Sequence, residues 1–291
     1  MLRPPLPKPG QRLRDLIAQD TVLMPGVFNA ISAVSATRAG ASALYLTGAG
    51  LTNANFGVPD IALATLTEFA ETAARITAIS PLPVLSDADT GFGETWNTVR
   101  TVIEMERAGL AGIHLEDQIS PKRCGHLDGK AVVPVGQMKS KIRAAVDAKA
   151  DSSFLIVART DARGVEGLDA AIDRAKAYVD AGADAVFPEG LGGEEEFAAF
   201  RQAVGVPLLA NMTEFGKTPI IAVARFRELG YEMVIFPMTG FRVMHRALDD
   251  AYSELVHSGT QEGLLPRMRT RAELYEAIEY SEYDRLDQTW S

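Results

Sequence analysis

The sequence predicts an α/β fold of the (β/α)8 TIM-type barrel class, on three observations. Eight short apolar runs recur along the 291 residues, each separated from the next by a stretch with helical spacing. That alternation yields a parallel sheet. The runs are near-continuously apolar, so both faces of the sheet are to be covered. No glycine-rich dinucleotide fingerprint accompanies them, which favours a closed barrel over an open doubly wound sheet.

In order, the strand candidates are TVLMPG from Thr21, ALYLTG from Ala43, PVLSDAD from Pro83, GIHLED from Gly112, FLIVARTD from Phe154, AVFPE from Ala185, PLLANM from Pro207 and MVIFPM from Met233. Four of them follow related phrases, AGASALYL, AGLAGIHL, AGADAVF and LGYEMVIF, a weak internal repeat. The glycine in each suits the left-handed position just past a helix C-terminus. Amphipathic helices are expected over Glu94 to Ala108, Gly167 to Ala181 and Glu194 to Val204, with Trp96 and Phe69 in the core. No Pro/Gly/Ser linker divides the chain, so residues 1–291 read as one barrel domain. An N-terminal arm or helix occupies 1–20, extended over Pro4 to Gly10, and a helical extension occupies 258–291. The tail is expected to be helical in its first half, where Leu274, Tyr275 and Ile278 form an apolar stripe that a finished barrel need not accommodate. It is expected to pack on a second subunit.

Thirty-eight acidic against 29 basic residues give a net charge of −9 with no dense Lys/Arg run, which excludes a nucleic-acid footprint or a polybasic membrane patch and favours a small-molecule partner. One cysteine, Cys124, cannot form an internal disulfide, as befits a reduced cytoplasm. The opening MLRPPLPKPGQRLRDL has prolines where a signal peptide needs its apolar run. No window approaches a membrane span either, so a cytoplasmic location is expected.

In this barrel class the active site lies at the C-terminal ends of the strands. Polar pairs spaced i, i+2 occur at four of those ends: Asp87/Asp89, His114/Glu116, Arg159/Asp161 and Asn211/Thr213. On a regular strand such a pair points the same way, about 6 to 7 Å apart. Asp87, Asp89 and Glu116 make a hard oxygen-rich set that suits Mg²⁺, with Mn²⁺ as a substitute, whereas a single cysteine and no close histidine pair disfavour zinc. Asp161 reads equally well as a helix N-cap, and His114 equally well as a core histidine. Cys124 sits in a loop with Lys122, Arg123 and His126, positive neighbours that lower a thiol pKa and make it a candidate nucleophile or proton donor. Thr47-Gly48-Ala49-Gly50 ends the second strand, where glycines permit close approach to an anion. His245 and His257 fall in the last barrel helix and are expected at the surface.

DADTGFG (Asp87 to Gly93), HLEDQ (His114 to Gln118), KRCGH (Lys122 to His126), ARTDA (Ala158 to Ala162), FPE (Phe187 to Glu189) and ANMTEFGKTP (Ala210 to Pro219) together resemble the isocitrate lyase and phosphoenolpyruvate mutase superfamily over almost the whole chain. KRCGH points to its lyase branch, and TRAELYEAIEYSEYD with DARGVEGLDAAIDRA to the lyases of the methylcitrate pathway of propionate catabolism. The resemblance implies Mg²⁺-dependent cleavage of a tricarboxylate, 2-methylisocitrate, into pyruvate and succinate. The alternative on the same scaffold is a lyase for 2,3-dimethylmalate or another alkylmalate, or an oxaloacetate hydrolase, and the resemblance further implies a homotetramer that exchanges a terminal helix between barrels. It implies that Asp87, Asp89 and Glu116 organise the metal and that Cys124 is the general acid, with Tyr45 or a water as base. Substrate carboxylates fall to Thr47, Gly48, Ala49, Gly125, His126, Arg159, Asn211, Thr213, Arg242 and Arg271, with Glu189 near the metal. Phe187 and Met238 line the place of the extra methyl group. The chain departs from that family at Thr47-Gly48-Ala49, where Ser-Gly-Gly is frequent, and in the continuation GHLDGK of the cysteine loop.

Overall fold

The computed structural model describes residues 6–123, 125 and 129–291. The chain begins with α1 (Pro9–Gln19), β1 (Val22–Val27), α2 (Ala30–Arg38), β2 (Leu44–Leu46), α3 (Gly48–Phe56), α4 (Leu66–Thr77), β3 (Val84–Asp87), α5 (Thr95–Arg107), β4 (Gly112–Glu116) and α6 (Val135–Ala148). It continues through β5 (Leu155–Thr160), α7 (Leu168–Asp180), β6 (Ala185–Pro188), α8 (Glu194–Ala203), β7 (Leu209–Asn211), α9 (Val223–Glu228) and β8 (Met233–Phe236), and ends in α10 (Thr239–Ser258), α11 (Arg271–Ala277) and α12 (Tyr280–Trp290). Each of the eight apolar runs contains one strand. All are parallel, in the order β6-β5-β4-β3-β2-β1-β8-β7, and a parallel bridge between Val186 and Leu208 joins the two ends into a barrel.

Alternation of side chains along each strand decides what faces inward. Val22 and Met24, Tyr45, Leu85, Leu155 and Val157, Phe187, Leu209, Met233 and Ile235 pack together inside the barrel. Leu44 and Leu46, Val84, Ile113 and Leu115, Ile156 and Ala158 pack outward against α4, α5 and α6. Helix α1 closes the bottom, adding Leu13 and Ile17 to the interior cluster while Arg14 pairs with Asp184 at 2.7 Å. With the bottom plugged, the opposite rim is the open one.

Three sequence expectations change in the structure. Proline at its first turn starts α1 at Pro9, so the segment read as an extended arm is already helical there. Trp96 is 83% exposed, because α5 buries Thr98, Thr101, Val102 and Met105, roughly half a turn of the helix away from it. Helix α12 runs to Trp290, so the tail is helical in its second half as well. Leu274, Tyr275 and Ile278 of the tail are exposed, and α10 carries a further uncovered apolar face. That helix has no buried residue, and Val243, Tyr252 and Val256 all face water. Beside it lies an apolar groove lined by Leu23, Phe28, Ile31, Phe236 and Met244.

Candidate active site

Past the apolar interior layer, the next inward position of several strands is polar or aromatic: Asp87 on β3, His114 and Glu116 on β4, Arg159 on β5, Phe187 on β6 and Asn211 on β7. Asp87, Arg159, Phe187 and Asn211 border a cavity of about 580 Å³ at the strand C-termini. Tyr45, Thr47, Ala49, Asp87, Gly125, Arg159, Phe187, Glu189, Asn211, Thr213, Met238 and Arg242 line it. Gly48, Asp89 and Glu116 lie just outside that lining and are buried. Arg271 is exposed at the start of α11 and does not reach the cavity within one chain. Cys124 and His126 lie outside the described residues, between and beside Arg123 and Gly125, which do line the cavity.

Helix α3 begins at this rim. Thr47 is its N-cap, accepting from the Gly50 amide at 3.2 Å, and the free amides that follow form a site for a carboxylate. Gly48 is required by its neighbour: a Cβ there would stand 2.6 Å from Oδ2 of Asp87. Gly125 is under the same constraint, with Glu189 Cγ at 2.5 Å and Arg159 Nη2 at 2.6 Å from the place of its Cβ.

The two aspartates of β3 do not form the side-by-side pair that strand alternation predicts. The strand ends at Asp87, and Asp89 adopts left-handed backbone, φ 47°, with its amide donating to Asp87 Oδ1 at 2.9 Å. Aspartate tolerates this conformation because its local polar contacts compensate the crowding. As a result Asp87 faces the main cavity while Asp89 borders a second one with Thr90 and Phe92. Lys122 ties them to a third carboxylate, pairing with Asp89 Oδ1 at 2.9 Å and with Asp60 Oδ1 at 2.5 Å.

Arg159 is clamped. Its Nε and Nη2 donate to Asp161 at 2.9 and 3.3 Å, Nη1 is 3.3 Å from Glu116 Oε2, Nη2 is 3.5 Å from Glu189 Oε2, and its carbon lies 5.1 Å from the Phe187 ring centre. Asp161 is therefore the orienting partner of Arg159, and its side chain caps nothing. It is held in turn by Lys130 at 2.8 Å and, through its amide, by Asp117 at 2.9 Å. Asn211 Nδ2 donates to Glu189 Oε2 at 3.0 Å.

His114 is fully buried with Nε2 2.8 Å from the Tyr45 hydroxyl and Nδ1 without a hydrogen bond, so it belongs to the site rather than to the backbone of the core. Burial holds its pKa down at about 4 and the imidazole is neutral. Burial and then Asp87 push the Tyr45 phenol well above its ordinary range. Burial raises the Glu116 carboxyl well above its usual value and pushes Asp89 up to about 7. Lys122 is driven the other way from its desolvation, well above the usual lysine range, by Asp89, Glu116 and Asp60. Asp60 carried no sequence signal, and Asp117 and Lys130 stood only as unassigned members of HLEDQ and GHLDGK, since none of the three is part of an i, i+2 pair at a strand end. Lys122 was visible only as a neighbour of Cys124.

Buried carboxylates, a clamped arginine and a helix N-terminus at the rim of a closed parallel barrel define an enzyme that handles small anionic substrates. The chain belongs to the phosphoenolpyruvate phosphomutase family, whose pattern matches residues 13–256, and within it to the lyases. It is 51% identical over 288 residues to a 2-methylisocitrate lyase of Aeropyrum pernix, covering 99% of this chain and 92% of that one. A solved 2,3-dimethylmalate lyase superposes with a TM-score of 0.93 at 35% identity, over 99% of this chain and 97% of that one. A phosphonopyruvate hydrolase solved with oxalate and Mg²⁺ superposes with a TM-score of 0.86 at 26% identity, over 97% and 99%.

The residues here fit such an ion. Oε1 of buried Glu116 has no hydrogen bond, and Asp87 and Asp89 bring two more buried carboxylates to the same rim. Among the described residues no three His, Cys, Asp or Glu side chains converge for direct ligation.

Proposed function

We propose that this protein cleaves 2-methylisocitrate to pyruvate and succinate. One observation carries the reading: a single cavity lined both by the carboxylates Asp87 and Glu189 and by the anion-binding groups Thr47, Arg159, Thr213 and Arg242, in a chain 51% identical to a 2-methylisocitrate lyase. Asp87, Asp89 and Glu116 would hold Mg²⁺, or Mn²⁺ in its place, partly through water. The ion would supply Lewis-acid polarisation of the 2-hydroxy acid end of the substrate.

The chain's own groups do the rest. The α3 amides, Arg159, Asn211, Thr213 and Arg242 hold the carboxylates, and Arg271 joins them from a neighbouring subunit. Tyr45 keeps its proton, because burial and Asp87 oppose its ionisation, so it is a hydrogen-bonding group rather than the base. As the carbon–carbon bond breaks, the hydroxyl proton passes to a water, which returns it to the spent Cys124 thiolate, and the bonding electron pair goes to the succinate half. The cationic side chains offset the charge that develops there. Cys124 then delivers a proton to that carbon, with His126 beside it in the sequence, so the reaction is neutral in protons overall. Phe187 and Met238 bound the space for the methyl group, and Met238 Sδ lies 3.8 Å from Thr47 Oγ1.

In its assembled form the protein is a helix-swapped homotetramer, one barrel per chain. The uncovered α10 and the groove beside it support this. A cytoplasmic location is supported by a single cysteine and by the finding that, among the described residues, no helix is long and apolar enough to cross a membrane. The test is pyruvate release from 2-methylisocitrate, isocitrate, 2,3-dimethylmalate and oxaloacetate side by side, with Mg²⁺ and with EDTA. A higher kcat/KM for any of the other three overturns the assignment, and EDTA-resistant turnover overturns the metal requirement.

A further inference from the structure

We infer that Glu214 is a positioning residue that sets the guanidinium of Arg242 to receive a carboxylate of the succinate half of the substrate. This deepens the reaction proposed above and rests on it. Glu214 follows Thr213 in the loop beyond β7, and its two carboxylate oxygens are divided between two residues of the first turn of α10. Oε1 accepts from the Thr239 hydroxyl, and Oε2 stands 3.3 Å from Nε of Arg242. The next residue, Phe215, is held in left-handed backbone at φ 60° and is 92% exposed, yet its ring centre lies 5.4 Å beneath the Arg242 guanidinium. A ring in that position adds nothing to the core. Its one aromatic or cationic neighbour among the described contacts is Arg242.

The guanidinium is thus held at one edge by Glu214 and on one face by Phe215, and its remaining edge carries the two terminal nitrogens. That edge matches a carboxylate in two parallel bonds, a geometry that depends on the plane being fixed. Arg242 lines the cavity next to Thr213 and Met238. Oε2 of Glu214 is buried and has no hydrogen bond at the 3.3 Å separation, so the pair is electrostatic, with one bond still to be made. A small rotation of the guanidinium as a substrate carboxylate docks would complete that bond. An acidic side chain this close to an anion site would repel the substrate were its charge not directed onto Arg242, which explains why it faces Nε and the Thr239 hydroxyl rather than the cavity.

The experiment uses the full-length enzyme with Mg²⁺ and two probes in calorimetric titration: succinate in the presence of pyruvate, and oxalate alone. Glu214→Gln keeps the shape and removes the charge. It is expected to weaken succinate and raise KM by about tenfold, while oxalate affinity stays within about twofold and kcat within about threefold. Glu214→Asp should recover part of the loss, and Glu214→Gln introduced into an Arg242→Ala enzyme should cost nothing further, since the residue acts through Arg242. Succinate binding unchanged in Glu214→Gln, equal losses for succinate and oxalate, or the same loss in the Arg242→Ala background would each overturn the inference. Absence of 2-methylisocitrate turnover in the unmodified enzyme would instead overturn the reaction, because the binding comparison does not depend on turnover.

Discussion

Gly48→Ala should damage catalysis far more than folding. The added methyl would meet Asp87 Oδ2 at 2.6 Å, its Cγ at 3.0 Å and Phe69 Cζ at 3.1 Å, against ordinary contact from 3.4 Å. Phe69 is fixed in the core, so the carboxylate must retreat, by roughly 0.8 Å. A displacement near 1 Å in a reacting constellation costs on the order of 10²-fold in rate. Stability loses less: overpacking costs about 1 to 3 kcal/mol, and alanine in place of glycine in a helix returns about 1 kcal/mol. Gly48 is not in left-handed backbone, so alanine adds no backbone strain. The assay is initial pyruvate release across a Mg²⁺ titration, with thermal unfolding measured in parallel. A ~10² loss in kcat/KM, a rightward shift in Mg²⁺ dependence and a drop of only a few degrees in Tm are expected. Gly136→Ala serves as control, since nothing lies within 4 Å of its Cβ position and both activity and fold should survive. A Gly48→Ala enzyme within threefold of the parent would refute the steric argument, as would a loss of activity that tracks unfolding.

Three further outcomes are expected. Cys124→Ser should leave substrate binding nearly intact and cut kcat by at least ~10³, because a hydroxyl is a far weaker acid than a thiol; a loss under tenfold would return Cys124 to a packing role. Truncation before Thr270 should cost both assembly and turnover, and sedimentation of a fully active monomer at assay concentration would sink the helix exchange. Glu166, hydrogen-bonded by Arg174 at 2.7 Å, has its carboxyl held below the ordinary 4.5 by that bond. Its stabilisation is therefore complete above pH 4.5 and disappears as pH falls through the lowered folded value. Glu166→Gln should flatten the acid limb of the stability curve, and an unchanged limb would count against the pair.

The eight strands were legible because each is a short apolar run closed off by turn residues, and α5, α7 and α8 because their apolar spacing is regular over three turns or more. Alternation also put His114 and Glu116 on one face and marked Arg159 and Asn211 at their strand ends, while Phe187 was reached only through the resemblance. Alternation failed at Asp89, because the strand stops two residues earlier and the backbone turns left-handed. Trp96 was misread because one aromatic at a helix start fits either face until the rest of the stripe is placed. The uncovered face of α10 was not legible, because its amphipathic pattern is that of any covered barrel helix.

What sequence spacing could not show is how the charges hold one another. Arg159 reaches Asp161 within its own strand end, but Asp161 depends on Lys130 from 31 residues away and on Asp117 from 44. Asp117 in turn accepts from Thr160 and from Tyr178, 61 residues along the chain, on a helix that packs outside the barrel. Lys122 reaches Asp60 across 62 residues. Each buried charge would be costly alone, because desolvation is offset only when the partner's geometry is fixed. The partners must therefore come from elements that the barrel has already brought into register. This is why the strand ends announced the site, while the residues that orient it, drawn from distant parts of the chain, left no mark in the local spacing.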